Sequence, residues 1–262
     1  MRWITGIPLA IALVALLFFA PVQVIQLVVA AVALIACYEF LSMCFKRVSP
    51  LRYGIGFVLI ALGLAPDIFP ALPWDFSLVC YLTIVLAFLL HFPSKLSDEE
   101  RFQQVSRFFV AVFYCLFLFG FLIKLIAQSN FLFWVFLAMA PTFVADTMAY
   151  LVGRRWGKNK LAPNLSPGKS IEGVVGGVFG GIAAGMVVSL CFGSPLALWF
   201  AGVLGGVIAL LGVVGDLSES LVKRACGVKD SGKIIPGHGG ILDRVDALLF
   251  TVPFIYFVAI YL

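Results

Sequence analysis

Two segments of this chain carry most of the residues that can do chemistry. The first, SGKIIPGHGGILDRVDALLF from Ser231 to Phe250, combines Lys, Arg, Asp, His and four Gly just ahead of an apolar run. Its acids, Asp243 and Asp246, are three residues apart, so a helix would place both carboxylates on one face. Ionisable groups at the edge of lipid usually face a partner, a cavity or a substrate path. The segment is therefore a candidate functional site, and a salt-bridge cluster such as Asp243 with Lys223 is the structural alternative.

A polar stripe is predicted just before this segment, in GDLSESLVKR from Gly215 to Arg224. If the eighth helix continues out of the membrane, four polar side chains at positions i, i+3, i+4 and i+7 share one face. They are Asp216, Glu219, Ser220 and Lys223.

The residues between these two acidic groups are typical of a phosphate site. Lys229 and Lys233 can bind phosphate as point charges, and His238, between glycines, has no apolar face to pack on. Four glycines let the backbone turn and approach a ligand closely; they are Gly232, Gly237, Gly239 and Gly240. Carboxylates near phosphates favour Mg²⁺, which prefers one or two carboxylates plus substrate phosphates. No Cys/His cluster indicates zinc.

The second segment, ADTMAYLVGRRWGKNKLAPNLSPGKSIEG, begins with Asp146 inside an apolar helix, where it is either functional or a buried hydrogen-bonding residue. Its SPGKS stretch superficially resembles a P-loop, which needs a preceding strand. No strand is expected here, so a Walker fold is excluded. Lys169 and Ser170 instead precede the seventh helix, whose amino end can receive an anion.

The elements that must position these residues are membrane helices. The chain is 63% hydrophobic and 12% charged with a mean hydropathy of +1.11, which excludes an ordinary soluble globule. Apolar runs of about 18 to 20 residues predict an all-α, polytopic integral membrane protein. We predict nine spans, with the first retained rather than cleaved as a signal peptide and the third short enough to be re-entrant. They are Ile4–Ala20, Val22–Cys44, Tyr53–Leu64, Phe76–Phe92, Phe108–Ile123, Phe131–Val152, Gly173–Cys191, Leu196–Asp216 and Ala247–Leu262.

The positions of the basic residues test the predicted number of membrane spans and predict the orientation of the chain in the membrane. With nine spans, every Lys and Arg except Lys124 falls in the amino terminus or in the loops after spans 2, 4, 6 and 8, which share one side. Positive loops stay cytoplasmic, so the amino terminus is expected inside and the carboxyl terminus outside. The net charge of +5 then reflects membrane sidedness rather than nucleic-acid binding.

Residues 1–262 are predicted to form one membrane domain, with packing helices in 1–130 and catalytic helices and loops in 131–262. Spans 1–5 are expected to pack, to shape lipid entry and to offer a homodimer contact. Glu39 is their polar exception, either hydrogen-bonded or at an oligomer contact. The runs GGVFGGIAAG (Gly176–Gly185) and AGVLGG (Ala201–Gly206) permit close helix contact.

The stretch SLVKRACGVKDSGKIIPGHGGILDRVD, from Ser220 to Asp246, resembles the signature of the phosphatidate cytidylyltransferases, the CDP-diacylglycerol synthases, without departure. The DTMAYLVGRRWGKNKLAPNLSPGKSIEG region is similar to the family too, with Met148 where Gly or Phe is common and Ser170-Ile171 where Thr-Trp is usual. The resemblance implies CMP transfer from CTP to phosphatidate at a bacterial inner membrane. CTP, phosphatidate and membrane lipid are the expected partners, with Mg²⁺ as cofactor and a second cation such as K⁺ left open.

The resemblance also implies residue roles, at a polar cavity expected at the cytoplasmic ends of helices 6 to 9. The implied catalytic residues are Lys223, Arg224, Asp243 and Asp246. The implied metal ligands are Asp216, Asp243 and Asp246. The implied substrate-binding residues are Asp146, Lys169, Ser170, Ser220, Lys229, Asp230, His238, Gly239, Gly240 and Arg244.

Three other functions are alternatives to this one. A CTP-dependent kinase of a polyprenol or other lipid alcohol would also need CTP, metal and basic loops, but would release CDP instead of diphosphate. A transporter of an anionic substrate is disfavoured because the chain shows no internal repeat. A CDP-alcohol phosphotransferase is disfavoured because the DGxxAR pattern is absent from the sequence.

Overall fold

The described part of the chain is mainly helical. The computed structural model describes residues 2–45, 49–92, 96–194, 196–234 and 239–262. These described residues form nine helices and one two-stranded hairpin. The helices are α1 (Arg2–Phe19), α2 (Val22–Cys44), α3 (Pro50–Ile68), α4 (Phe76–Leu89), α5 (Asp98–Ile126), α6 (Phe131–Trp156), α7 (Ile171–Cys191), α8 (Leu198–Ala225) and α9 (Leu242–Tyr261), and the strands are β1 (Lys160–Ala162) and β2 (Ser166–Ser170).

Seven of the described helices, namely α2, α3 and α5 to α9, are long and apolar enough to cross a membrane. The predicted all-α polytopic membrane protein is therefore confirmed. Helix α3 runs over 19 residues, so the short span predicted at its centre was an underestimate. Its first turn is stabilised by Ser49, whose side chain accepts a hydrogen bond from the backbone N–H of Arg52.

Several helices extend beyond their apolar runs. Helix α5 starts at Asp98, where the prediction began at Phe108, and three acids occupy its first turn, where the helix dipole favours negative charge. Helix α8 continues past Asp216 to Ala225 and ends with Lys223 and Arg224, which complement the opposite end of the dipole. A hydropathy criterion misses such polar turns.

The chain divides into two compact units. The first contains Met1–Lys124 and Asp230–Asp243, and the second contains Leu125–Lys229 and Arg244–Leu262. The first boundary along the chain lies between Lys124 and Leu125, and the packing and catalytic roles predicted for 1–130 and 131–262 stay predictions. The segment Asp230–Asp243, however, is grouped with the amino-terminal helices.

In the first unit, α2, α3 and α5 bury large apolar side chains such as Phe40, Leu59 and Phe108. Gly56 of α3 faces the side chains of Leu41 and Cys37. One buried polar group, the side-chain amide of Gln26, donates to the backbone oxygen of Ile123 at 3.2 Å. These contacts tie the helices of this unit together.

In the second unit, small residues let α6, α7 and α8 approach closely. A Cβ atom added to Gly181 of α7 would lie 2.5 Å from the backbone oxygen of Gly205 in α8. One added to Gly177 would lie 3.0 Å from the backbone oxygen of Ala145 in α6. The close contact predicted from the two glycine-rich runs is confirmed.

The hairpin follows α6 and leads directly into α7. Its strands are antiparallel, with Lys160 opposite Ser170 and Ala162 opposite Ser166. The expectation that no strand occurs here was wrong, because SPGKS is itself the second strand. A Walker loop remains excluded, since Lys169 lies within a strand rather than in a phosphate-cradling loop.

Candidate active site

The polar stripe predicted on α8 is confirmed. The Ser220 hydroxyl donates to Oδ1 of Asp216 at 3.3 Å, and Lys223 Nζ lies 2.5 Å from Oε2 of Glu219. Both pairs are one helical turn apart, as the i, i+4 spacing requires. Glu219 is only 2% exposed. Its negative charge is compensated by Lys223 of the same helix.

Lys169 connects the hairpin to this stripe. Its Nζ lies 2.5 Å from Oδ2 of Asp216, and both side chains are partly exposed. Asp146, which is exposed on α6, lies within electrostatic reach of both Lys169 and Asp216. Whether Asp146 is functional or a buried hydrogen-bonding residue stays a prediction.

Asp246 brings a further carboxyl group to the same place from α9. It is 8% exposed, lies within hydrogen-bonding reach of Glu219, and interacts electrostatically with Asp216 and Lys223. Gly215 explains this proximity, because a Cβ there would lie 2.7 Å from the backbone oxygen of Asp246. We call the group of five residues from the second unit the α8 cluster; it comprises Lys169, Asp216, Glu219, Lys223 and Asp246.

The α8 cluster contains oxygen donors suitable for Mg²⁺. Among the described residues, no group of three or more His, Cys, Asp or Glu side chains is arranged as a metal cage. Mg²⁺ does not need one, since it is usually bound by one or two carboxylates together with phosphates and water. Asp216 and Asp246 therefore fit this ion chemically.

Asp243 makes a different set of contacts, within the first unit. Its Oδ2 accepts hydrogen bonds from the backbone N–H of Ser231, the Ser231 hydroxyl and the backbone N–H of Gly240, each at 2.9 Å. A carboxylate with several such donors is strongly held. Asp243 thus joins the two sides of the segment that begins at Asp230.

The same segment is also held by Glu39 of α2, which lies about 200 residues earlier in the sequence. It is 1% exposed, and its carboxylate accepts from the backbone N–H groups of Ile241 and Leu242, both at 3.0 Å, and from the Ser231 hydroxyl at 3.3 Å. The hydrogen-bonded alternative predicted for Glu39 is confirmed. Its partners were missed; the available signal was a lone acid within an apolar span.

The side chains of Glu39 and Asp243 leave no room for a Cβ atom at three glycine positions of the segment. A Cβ on Gly232 or on Gly240 would lie 2.5 Å from a carboxylate oxygen of Glu39. Gly239 has φ +80°, a conformation that favours glycine, and a Cβ there would lie 2.7 Å from Oδ2 of Asp243. The close approach predicted for these glycines is made to the protein's own carboxylates.

The other predicted site residues fall into three groups. Ser170 is buried and caps α7, because its hydroxyl oxygen accepts from the backbone N–H of Gly173 at 3.1 Å. His238 lies outside the described residues. Exposed positions are occupied by Arg224, Lys229, Asp230 and Arg244.

Glu172, to which the sequence reasoning assigned no role, fastens the hairpin to α7. It accepts from the backbone N–H of Lys158 at 3.1 Å and from the side-chain amide of Asn159 at 2.8 Å. The residues just before β1 are thereby tied to the first turn of α7. Lys169, at the end of β2, is held on the same short hairpin.

A cavity of about 520 Å³ lies along the last turns of α6. Its lining combines apolar side chains with two arginines and a tryptophan, a mixture common at the membrane–water interface. The lining residues are Met148, Leu151, Val152, Arg154, Arg155 and Trp156. Because they belong to a single helix, this cavity is not the polar one predicted between helices 6 to 9, which stays a prediction.

Known proteins with similar sequences agree with these features. The sequence model of the Cytidylyltransferase family matches residues 1–262. A phosphatidate cytidylyltransferase from Staphylococcus saprophyticus is 33% identical over 249 residues, covering 92% of this chain and 94% of the relative. One from Bacillus subtilis is 30% identical over 258 residues, covering 98% and 96%. With its full-length match and its polytopic helical fold, the chain belongs to the cytidylyltransferase family.

Proposed function

We propose that this membrane protein is a phosphatidate cytidylyltransferase, which converts CTP and phosphatidate into CDP-diacylglycerol and diphosphate. The observation that carries the proposal is the α8 cluster, where three carboxyl groups and two lysines from α8, α9 and the hairpin meet in a largely apolar chain. Its mixture of acids and bases suits a reaction between two polyanions. The family match and the relatives' names support the same reaction.

The chemistry requires positioning and charge neutralisation more than proton transfer. A phosphate oxygen of phosphatidate attacks the α-phosphorus of CTP, and the bond from that phosphorus to the oxygen bridging to the β-phosphate breaks. The attacking oxygen is already anionic, so no nucleophile–base pair is needed. The main obstacles are repulsion between the phosphates and the negative charge that grows on the departing diphosphate.

The residues of the α8 cluster address both obstacles. Lys169 and Lys223 supply cations for phosphate oxygens, while Asp216 and Glu219 hold these lysines in place through the observed ion pairs. Asp216 and Asp246 are the proposed Mg²⁺ ligands. When bound, Mg²⁺ would supply a Lewis acid that polarises phosphoryl oxygens and withdraws their negative charge.

The roles implied for the remaining signature residues are part of the proposal. Arg224, Lys229 and Arg244 are exposed cations suited to phosphate binding, and Ser220, Asp230 and His238 would orient the substrates. Asp243 holds its segment in shape, and its direct participation at the metal is proposed as well. K⁺ as a second cation remains part of the same hypothesis.

The membrane orientation is proposed from the basic loops. Phosphatidate keeps its acyl chains in lipid, while its headgroup must meet CTP from the cytosol. Placing the amino terminus and the basic loops on the cytoplasmic side of the cell membrane follows the distribution of Lys and Arg. A homodimer is proposed from the apolar first five helices.

The deciding experiment incubates the purified protein in detergent with α-labelled CTP, Mg²⁺ and phosphatidate, and identifies both products. Diphosphate together with labelled CDP-diacylglycerol supports the proposal. Release of CDP with a newly phosphorylated lipid alcohol, when a polyprenol replaces phosphatidate, supports the kinase instead. The absence of both products with correctly folded protein would contradict the assignment.

A further inference from the structure

We propose that Glu39 is a positioning residue for the reaction: from α2, it holds the two ends of the segment Asp230–Asp243 together, at Ser231 and at Ile241 and Leu242. The segment contains signature positions such as Asp230, Gly239 and Asp243. Glu39 lies outside the signature and about 200 residues away along the chain. Because Glu39 is 1% exposed and its carboxylate is occupied by backbone N–H groups of the segment, its effect on catalysis passes through the segment and not through contact with a substrate.

The first support is the chemistry of its partners. Ile241 and Leu242 present backbone N–H groups at the start of α9, where a helix leaves its first N–H groups without partners of its own. Glu39 accepts from both at 3.0 Å, as a capping residue would, although it comes from another helix. The partial positive charge of a helix amino terminus further favours a carboxylate there.

The second support is that Glu39 and Asp243 act on shared residues. The Ser231 hydroxyl lies 2.9 Å from Asp243 and 3.3 Å from Glu39, while Asp243 also accepts from Gly240. The two carboxylates therefore fasten the segment near its beginning, at Ser231, and near its end, at Gly240 to Leu242. We call this arrangement the carboxylate clamp; it consists of Glu39, Ser231, Gly240, Ile241, Leu242 and Asp243.

The third support is steric. The three atoms nearest to a Cβ built on Gly232 all belong to Glu39, at 2.5, 2.8 and 3.1 Å. No side chain larger than hydrogen fits there while Glu39 keeps its place. Glycine at this position is thus explained by Glu39, and the two residues should be energetically coupled.

The first test measures how readily trypsin cleaves the segment, and it does not depend on enzyme activity. Lys229 and Lys233 are exposed in or beside the segment, and Lys158 and Lys160 are exposed at the hairpin. In limited trypsin digestion of the full-length protein in detergent, Glu39→Ala and the near-isosteric Glu39→Gln should increase cleavage at Lys229 and Lys233 about tenfold. Cleavage at Lys158 and Lys160 should be unchanged, because the hairpin is fastened by Glu172.

A matched control comes from the same helix. Gln26 of α2 is also buried and polar, but its amide donates to the backbone oxygen of Ile123 and makes no contact with the clamp in the described structure. Gln26→Leu should leave cleavage at Lys229 and Lys233 at the wild-type level. Equal increases at the segment and the hairpin in the Glu39 variants would indicate general unfolding and overturn the inference.

The second test is kinetic and rests on the proposed function. Displacing groups by about 1 Å can cost about a hundredfold in rate, so Glu39→Gln should lower kcat/KM for CTP by about ten- to a hundredfold, with a raised KM. A merely smaller fraction of folded protein would lower the maximal rate and leave KM unchanged. Inactive wild-type protein would refute the proposed function, whereas the trypsin test would still decide on the clamp.

The third test uses the predicted coupling. Gly232→Ala should increase cleavage at Lys233 in the wild-type background, because the added methyl group displaces Glu39. In the Glu39→Ala background, the same substitution should add less than about a twofold change. An equal effect in both backgrounds, or wild-type cleavage and KM in both Glu39 variants, would overturn the inference.

Discussion

Lys169, in the second strand of the hairpin, forms an ion pair with Asp216 of α8, with Nζ and Oδ2 2.5 Å apart. The pair joins a short connecting hairpin to the helix that carries most of the α8 cluster. Because both side chains remain partly exposed, they are accessible to a ligand. Under the proposed function, the lysine exchanges its interaction with Asp216 for one with a substrate phosphate.

Lys169→Met should reduce kcat/KM for CTP by about a hundredfold, since it removes a cation held near the developing negative charge. The measurement is steady-state turnover of detergent-purified protein with phosphatidate. Lys158→Met is the control, because Lys158 is exposed and binds Glu172 through its backbone N–H. Equal losses in both variants would contradict a specific role for Lys169.

Asp246→Asn should nearly abolish CMP transfer, by about a hundredfold or more, while the protein still inserts and folds. The substitution preserves size but removes one of the carboxylates proposed to bind Mg²⁺. Incorporation of label from CTP into lipid measures the loss, and size-exclusion chromatography checks the fold. Normal turnover in this variant would refute the proposed metal site.

Chelation should abolish activity, and added Mg²⁺ should restore it. In Asp216→Asn the Mg²⁺ concentration that gives half-maximal activity should rise about tenfold or more, because a ligand is lost. A titration of activity against free Mg²⁺ in both proteins makes the comparison. An unchanged Mg²⁺ requirement would remove Asp216 from the proposed ligands.

Glu172→Ala should release the hairpin. Its carboxylate holds the backbone of Lys158 and Asn159, so its loss should increase trypsin cleavage at Lys158 and Lys160 about tenfold. Turnover should fall as well, because Lys169 belongs to the same hairpin. Unchanged cleavage at these lysines would show that Glu172 does not hold the hairpin.

Gly181→Ala should destabilise the second unit by about 1–3 kcal/mol, since the new methyl group would overlap the backbone of α8. Gly54→Ala on α3 is the matched control. A Cβ there meets no atom within 4 Å, and alanine favours the helix by about 1 kcal/mol. Thermal unfolding in detergent should show a lower midpoint for the first variant and an equal or higher one for the second.

The features predicted most accurately from the sequence are those that depend on residues close together in the chain. The length of apolar runs identified the helices, and the spacing of Asp216, Glu219, Ser220 and Lys223 predicted a stripe that the α8 hydrogen bonds confirm. Boundaries were less accurate, as at α5 and α8, because polar turns extend beyond the apolar run. The hairpin was missed because strands of three and five residues leave little periodicity to detect.

Membrane insertion, helix type and family membership could all be read from the amino-acid order, because each depends on local hydropathy or on a contiguous motif. The contact partners of the candidate site residues could not be read in this way. Glu39 reaches Leu242, Lys169 reaches Asp216 and Asp246 reaches Glu219 only after separate secondary-structure elements have packed. That packing depends on glycines such as Gly215 and Gly232, whose missing side chains let backbone and carboxylate approach to distances that no sequence pattern specifies.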